Sequence, residues 1–133
     1  MNAAFQRLHL IAGLCYGLAG MGLGLWMAAT RDHSQLVTHA HLLLVGFLLS
    51  ILYACIHQLW LTGANCWLMS IQLSLHHLGA TGLVVGLFLL YGGHAGIDQL
   101  DPLLASSAIA ATLGLFLVLV MTVVSFRQST SQA

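Results

Sequence analysis

Leu103–Phe126 reads LLASSAIAATLGLFLVLVMTVVSF, a stretch without one formally charged residue. A run of this length meets the roughly 20 apolar residues that an α-helix needs to cross the hydrocarbon core of a bilayer. In lipid every backbone N–H and C=O must be satisfied within the structure, which leaves helices or a closed barrel, and the run is too long and continuous for barrel strands. The rest of the chain has the same character. Of its 133 residues 59% are hydrophobic and 5% charged, whereas an ordinary soluble domain carries roughly 25% charged residues.

Hydropathy places three further spans ahead of this one, at about Phe5–Ala29, Leu36–Leu61 and Cys66–Tyr91. The connections are short and carry turn and breaker residues: Arg31-Asp32-His33-Ser34, then Thr62-Gly63-Ala64-Asn65, then Gly92-Gly93 through Asp101-Pro102. The expected fold is all-α, a single four-helix transmembrane domain over residues 1–133, with spans at about 5–29, 36–61, 66–91 and 103–126 in up-down-up-down order. The first span exceeds the 7–15 apolar residues typical of a signal peptide and is read as retained. Arg7 and Arg127 flank one side, and Arg31 is accompanied by Asp32, Asp98 and Asp101 on the other. The positive-inside bias therefore puts both termini in the cytoplasm. Trp26, Trp60, Trp67 and Tyr91 fall near span ends, as interfacial aromatics do.

Charge also excludes partners. Three basic residues balance three acidic ones, so the chain has no electrostatic footprint for nucleic acid and no polybasic patch for anionic lipid. Cys15, Cys55 and Cys66 form neither a disulfide framework nor a Cys-x-x-Cys-His attachment, and are expected to be small apolar core residues. Gly13, Gly17, Gly20 and Gly24 make one stripe along span one, and Gly79, Gly82 and Gly86 another along span three. Such stripes let a helix backbone, or a flat cofactor, approach closely.

Eight histidines in a chain with six formally charged residues are the anomaly. Ionisable residues inside spans are costly and by default mark a site or a pathway. His39 and His57 are eighteen residues apart, as are His76 and His94. Eighteen residues make five helical turns, so each pair is expected on one face, about 27 Å apart. In an antiparallel hairpin this sets His39 beside His94 and His57 beside His76, to within a few residues. One layer of histidines then comprises His39, His41 and His94, and another, nearer the cytoplasm, His9, His57, His76 and His77; His33 belongs to a loop. Neutral imidazole is the ligand an apolar site can offer iron, with the second ring nitrogen donating to a carbonyl or carboxylate. Two such layers could hold one or two b-type haems.

Span two opens Thr38-His39-Ala40-His41-Leu42 and continues to Gly46, and here the chain resembles the catalytic subunits of haem-copper oxidases and nitric oxide reductases. In those proteins a His-x-His-Leu element with a glycine beyond it begins a helix, its first histidine on the high-spin haem and its second on the low-spin haem. By that resemblance His39 corresponds to the first and His41 to the second. The chain is also similar to small bacterial four-helix proteins related to oxidase subunit one, with His76-His77-Leu78-Gly79 matching their third helix. The large subunits arrange about twelve helices as three arcs of four, and this chain supplies one arc. It also lacks a His-Pro-Glu-Val-Tyr-like stretch for a copper site, so no complete oxidase or reductase active site is recognisable.

The resemblance implies a b-type cytochrome of the bacterial inner membrane, a homo-oligomer (trimer or dimer) with haem b, one or two per subunit or shared between subunits. Besides membrane lipid, its partner would be a respiratory-chain electron donor or acceptor. His39, His41 and His76 are the foremost expected ligands, with His94 and His9 behind them and Gly79 giving the porphyrin a flat face. His39 and His41 stand about 200° apart around a helix, so they cannot share one iron within a monomer. Three other functions compete: haem-based binding of a diatomic gas, histidine-lined passage of copper or zinc, and a structural subunit of a respiratory complex.

Overall fold

A computed structural model describes residues 2–61 and 63–130. It contains four long helices, α1 (Asn2–Thr30), α2 (Leu36–Leu59), α3 (Cys66–Tyr91) and α4 (Ile97–Thr130), and no strand among the described residues. Each is long and apolar enough to cross a membrane, which makes this a multi-pass membrane protein. Only 17% of the most apolar window of α4 is buried within the bundle. Leu18, Leu25 and Leu78 are each more than 70% exposed, a surface that lipid tolerates and water does not.

The helix ends follow local chemistry. Asn65 caps α3, its side-chain oxygen accepting the Trp67 N–H at 2.8 Å. At the other end Gly93 takes φ +70°, and the N–H groups of Gly93 and His94 return to the carbonyls of Leu90 and Leu89, a glycine-dependent stop. The fourth helix starts at Ile97 and not at Leu103. The Gly96 carbonyl accepts from Gln99 and Leu100, the Gln99 side chain reaches back to the Gly96 N–H, and Asp98 lies in the first turn. This capping, with the acid at the positive end of the dipole, carries the helix through Pro102. Thr62, which opens the second expected turn, lies outside the described residues.

The bundle is two tight hairpins laid side by side. Along the first, Gly13 faces Ser50, Gly17 faces Phe47, Gly20 faces Leu43 and Gly24 faces His39; along the second, Gly79 faces Ala111, Gly82 faces Ser107 and Gly86 faces Leu104. A Cβ on Gly79 would stand 2.6 Å from the Ala111 nitrogen, so α3 and α4 touch backbone to backbone. Both glycine stripes are thus filled by neighbouring helices, and Gly79 has no open face for a porphyrin. The cysteines also depart from expectation: Cys15 and Cys55 are exposed on the outer surface and Cys66 is half-buried, because the interior positions of α1 and α2 are taken by glycine, histidine and tyrosine.

The middle of α2 is a π-helix, Leu42–Leu48, directly after His41. Its wider turn leaves Gly46 in the interior, where Tyr16 packs against it; a Cβ there would meet Tyr16 at 2.7 Å. Such segments are rare and concentrate at functional sites. An unbroken Leu-Leu-Leu-Val run shows no sign of one in the sequence.

Candidate functional site

The histidines form two groups of different character. The interior group gathers His9 from α1, Tyr53 and His57 from α2, and Gln72, His76 and His77 from α3. Around the His9 ring stand His77 at 5.0 Å, His57 at 5.3 Å, Tyr53 at 5.5 Å and His76 at 5.9 Å between centroids. His9, His57, His76, Gln72 and Tyr53 are 0% exposed. Because the Gln72 carbonyl oxygen only accepts, His9 Nε2–H donates to it at 3.0 Å. His9 Nδ1 is then the acceptor for His77 Nε2–H at 3.1 Å. Ser50 hydroxyl and His76 Nε2 share a bond of 2.9 Å, and the Tyr16 ring stacks on His77 while its hydroxyl donates to the His77 carbonyl.

This network is incomplete. Tyr53 hydroxyl, both nitrogens of His57, Gln72 Nε2, and Nδ1 of His76 and His77 are buried without a hydrogen-bond partner. A buried polar group left without a partner costs about 1–3 kcal/mol, which makes this cluster the polar exception in the bundle interior. No group of three or more His, Cys, Asp or Glu among the described residues is disposed to hold a metal ion.

The second group is His39 and His41, both half-buried at the start of α2. His39 Nδ1 donates to the Gly20 carbonyl across the helix seam at 2.8 Å, and its ring lies against Gly24. His41 Nδ1 donates to the Val37 carbonyl one turn back, at 2.9 Å. Donation from Nδ1 fixes the tautomer, and each Nε2 is left as a basic lone pair. The Leu42 and Leu43 side chains turn into the bundle, while Leu44 is exposed beside them.

His94 does not join His39. The α2–α3 pairing, seen in Ser50 with His76 and in Gln35 donating to the Phe88 carbonyl at 3.1 Å, runs several residues short of the expected register. The helix also stops at Tyr91, so the five-turn count never reaches residue 94. His94 instead lines a cavity with Asp32, Ser34 and Tyr91. There the Ser34 backbone N–H, followed by its hydroxyl, holds the Asp32 carboxyl below the usual carboxylate range. The His57 and His76 rings each pack against His9.

Sequence reasoning missed Ser50, Tyr53, Gln72 and Tyr16 as partners. Their signal was present in the spacing: Gln72 precedes His76 by four residues, and Ser50, Tyr53 and His57 follow at intervals of three and four, one helical face. No protein-family model, curated protein or solved structure matches this chain.

Proposed function

We propose that this chain is a b-type haem protein of the bacterial inner membrane that passes single electrons through histidine-ligated iron. The observation that supports this reading is the pair of Nδ1–H to carbonyl bonds of His39 and His41, which leave Nε2 of each ring as the unprotonated nitrogen just ahead of a π-helix. That is the donor chemistry iron requires, and in this respect the residues fit the group. When bound, haem supplies a one-electron ferric/ferrous couple; the chain supplies ligands, orientation and an apolar wall at Leu44. His9 has both ring nitrogens engaged and His76 is completely buried, whereas His39 and His41 are half-buried, so His39 and His41 are the ligands of this proposal. They lie on opposite flanks of α2, so each would hold a different iron, and assembly as a dimer or trimer is part of the proposal. The order of the helices is up-down-up-down with both termini cytoplasmic, Arg7 and Arg127 marking that side.

The test is the absorption spectrum of detergent-purified protein, oxidised and dithionite-reduced, with a pyridine haemochrome. A sharp reduced α-band with stoichiometric haem b is expected. Colourless protein from cells with ample haem overturns the proposal.

The six unpartnered atoms of the interior cluster favour a second reading, passage of protons through water bound among His9, His57, His76 and His77. Proton flux into vesicles carrying the protein, lost in His57→Leu, distinguishes it from the first.

A further inference from the structure

Two cavities beside the 31–35 and 92–96 loops form one trough. The outer has a volume of about 720 Å³ and the inner about 470 Å³, and Leu23, Trp26 and Phe88 line both. Small residues of α1 open the inner part: Ala19 and Gly22 line it, and a Cβ added to Gly22 would meet nothing within 4 Å. Leu42, Val84, Val85 and Leu89 complete an apolar wall. From Trp26 to Ala19 the trough follows α1 for seven residues, a length of about 10 Å. Gln35, at the outer part, is already satisfied, donating to the Phe88 carbonyl and accepting from the Thr38 hydroxyl at 2.7 Å.

The mouth has a different chemistry. Asp32 lines it together with Trp26, Phe88 and Tyr91, and the His94 ring is stacked on Phe88 at 6.3 Å and 27°. One Asp32 carboxylate oxygen accepts the Ser34 N–H at 2.9 Å, which holds the group in place and favours its charged form. Its countercharge does not come from the trough. No Lys or Arg lines either part among the described residues, and Arg31, although it precedes Asp32, is not in the lining. Arg7 and Arg127 stand near the far ends of α1 and α4.

These features rank the heads that a ligand could bring. An anionic head meets the carboxylate without a countercharge and is repelled. A neutral head can hydrogen-bond, but it leaves the carboxylate charge unanswered. A cation is drawn to both features, by Coulomb attraction to Asp32 and by the negative faces of the aromatic rings. An exposed carboxylate holds a free cation only weakly, and an apolar tail lying in the inner part adds the burial that makes the pairing stable.

We propose that this trough binds an amphipathic cation, its single ammonium head at the mouth beside Asp32, Trp26 and Tyr91 and its tail along Leu42, Val84 and Val85. Neither His39 nor His41 lines the trough, so the site is independent of the haem reading.

Binding is measured by equilibrium dialysis of radiolabelled decyltrimethylammonium against the protein in dodecyl maltoside micelles, with empty micelles subtracted. The maltoside is a neutral-headed competitor in excess, and saturable uptake against it is expected. Asp32 is exposed in its loop, and Asp32→Asn keeps an acceptor for the Ser34 N–H, so this variant reads the charge without disturbing the fold. It should weaken binding at least about fivefold. Gly22→Leu, which fills the inner part, should weaken it at least about tenfold. Uptake that does not saturate, or that is unchanged in either variant, overturns the proposal. Uptake abolished by phosphatidylethanolamine at equal mole fraction also overturns it, and gives the trough to an ordinary zwitterionic lipid.

Discussion

The interior histidines and the histidines at the start of α2 are the same side chain in opposite circumstances. His9, His57 and His76 are completely buried, crowded within 6 Å of one another through His9, and leave polar atoms without partners. His39 and His41 are half-buried, each tied at Nδ1 to a carbonyl, which leaves Nε2 as the unprotonated nitrogen. An imidazole presents itself to a metal when one ring nitrogen is committed and the other has room; His76 meets the first condition as His39 and His41 do, and its complete burial is what separates it from them.

The largest expected effect concerns what keeps both groups in place. Gly79→Leu drives a side chain into the Ala111 and Ser107 backbone, with no flexible neighbour to yield. Overpacking of this kind costs about 1–3 kcal/mol or more, so the purified protein should lose its folded, monodisperse form in size-exclusion chromatography and thermal melts. Intact behaviour would mean that α3 and α4 are not packed along the glycine stripe. Next, His41→Ala and His39→Ala should each remove most of the bound haem, read as pyridine haemochrome per protein, while leaving the melting temperature of the haem-free protein within a few degrees. His9→Ala or His76→Ala acting more strongly on haem content would reverse the comparison between the two groups.

A smaller effect, of opposite sign, is expected inside. His57→Leu removes two ring nitrogens that lack hydrogen-bond partners from the buried cluster, and relief of their burial should raise stability by about 1 kcal/mol in denaturant titrations, with haem content unchanged. Destabilisation there would show that His57 is satisfied by bound water. His33→Ala should change least. Its side chain is exposed in the α1–α2 loop, so spectrum and stability alike should stay at wild-type values, and any loss of colour would move the site to the loop.

The spans were legible because lipid imposes a simple rule: a chain with so few charges and apolar runs this long can satisfy its backbone only as helices. Cys66–Tyr91 has the bounds read from sequence, since Asn65 and Gly93 are strong local signals that act within one turn. Leu103 failed as a helix start because Pro102 was read as a breaker, whereas a proline near the first turn loses a bond that is cheap to lose. The histidine count announced an unusual interior, and its spacing joined His9, His57, His76 and His77 in one layer, which the packing shows. Spacing could not show that His94 leaves the helix, because a left-handed glycine is a backbone event two residues beyond α3.

Composition and periodicity by themselves determined that this protein is a membrane-spanning set of helices with histidines on interior faces, because burial in lipid and the 3.6-residue turn act on the chain locally. Which imidazole nitrogens are free, that the glycine stripes close on helices and not on a cofactor, and that Asp32, Trp26, Tyr91 and His94 meet around one trough were decided only by tertiary structure. Each depends on the register between helices, and a π-helical turn within α2 alters that register without altering a single residue type.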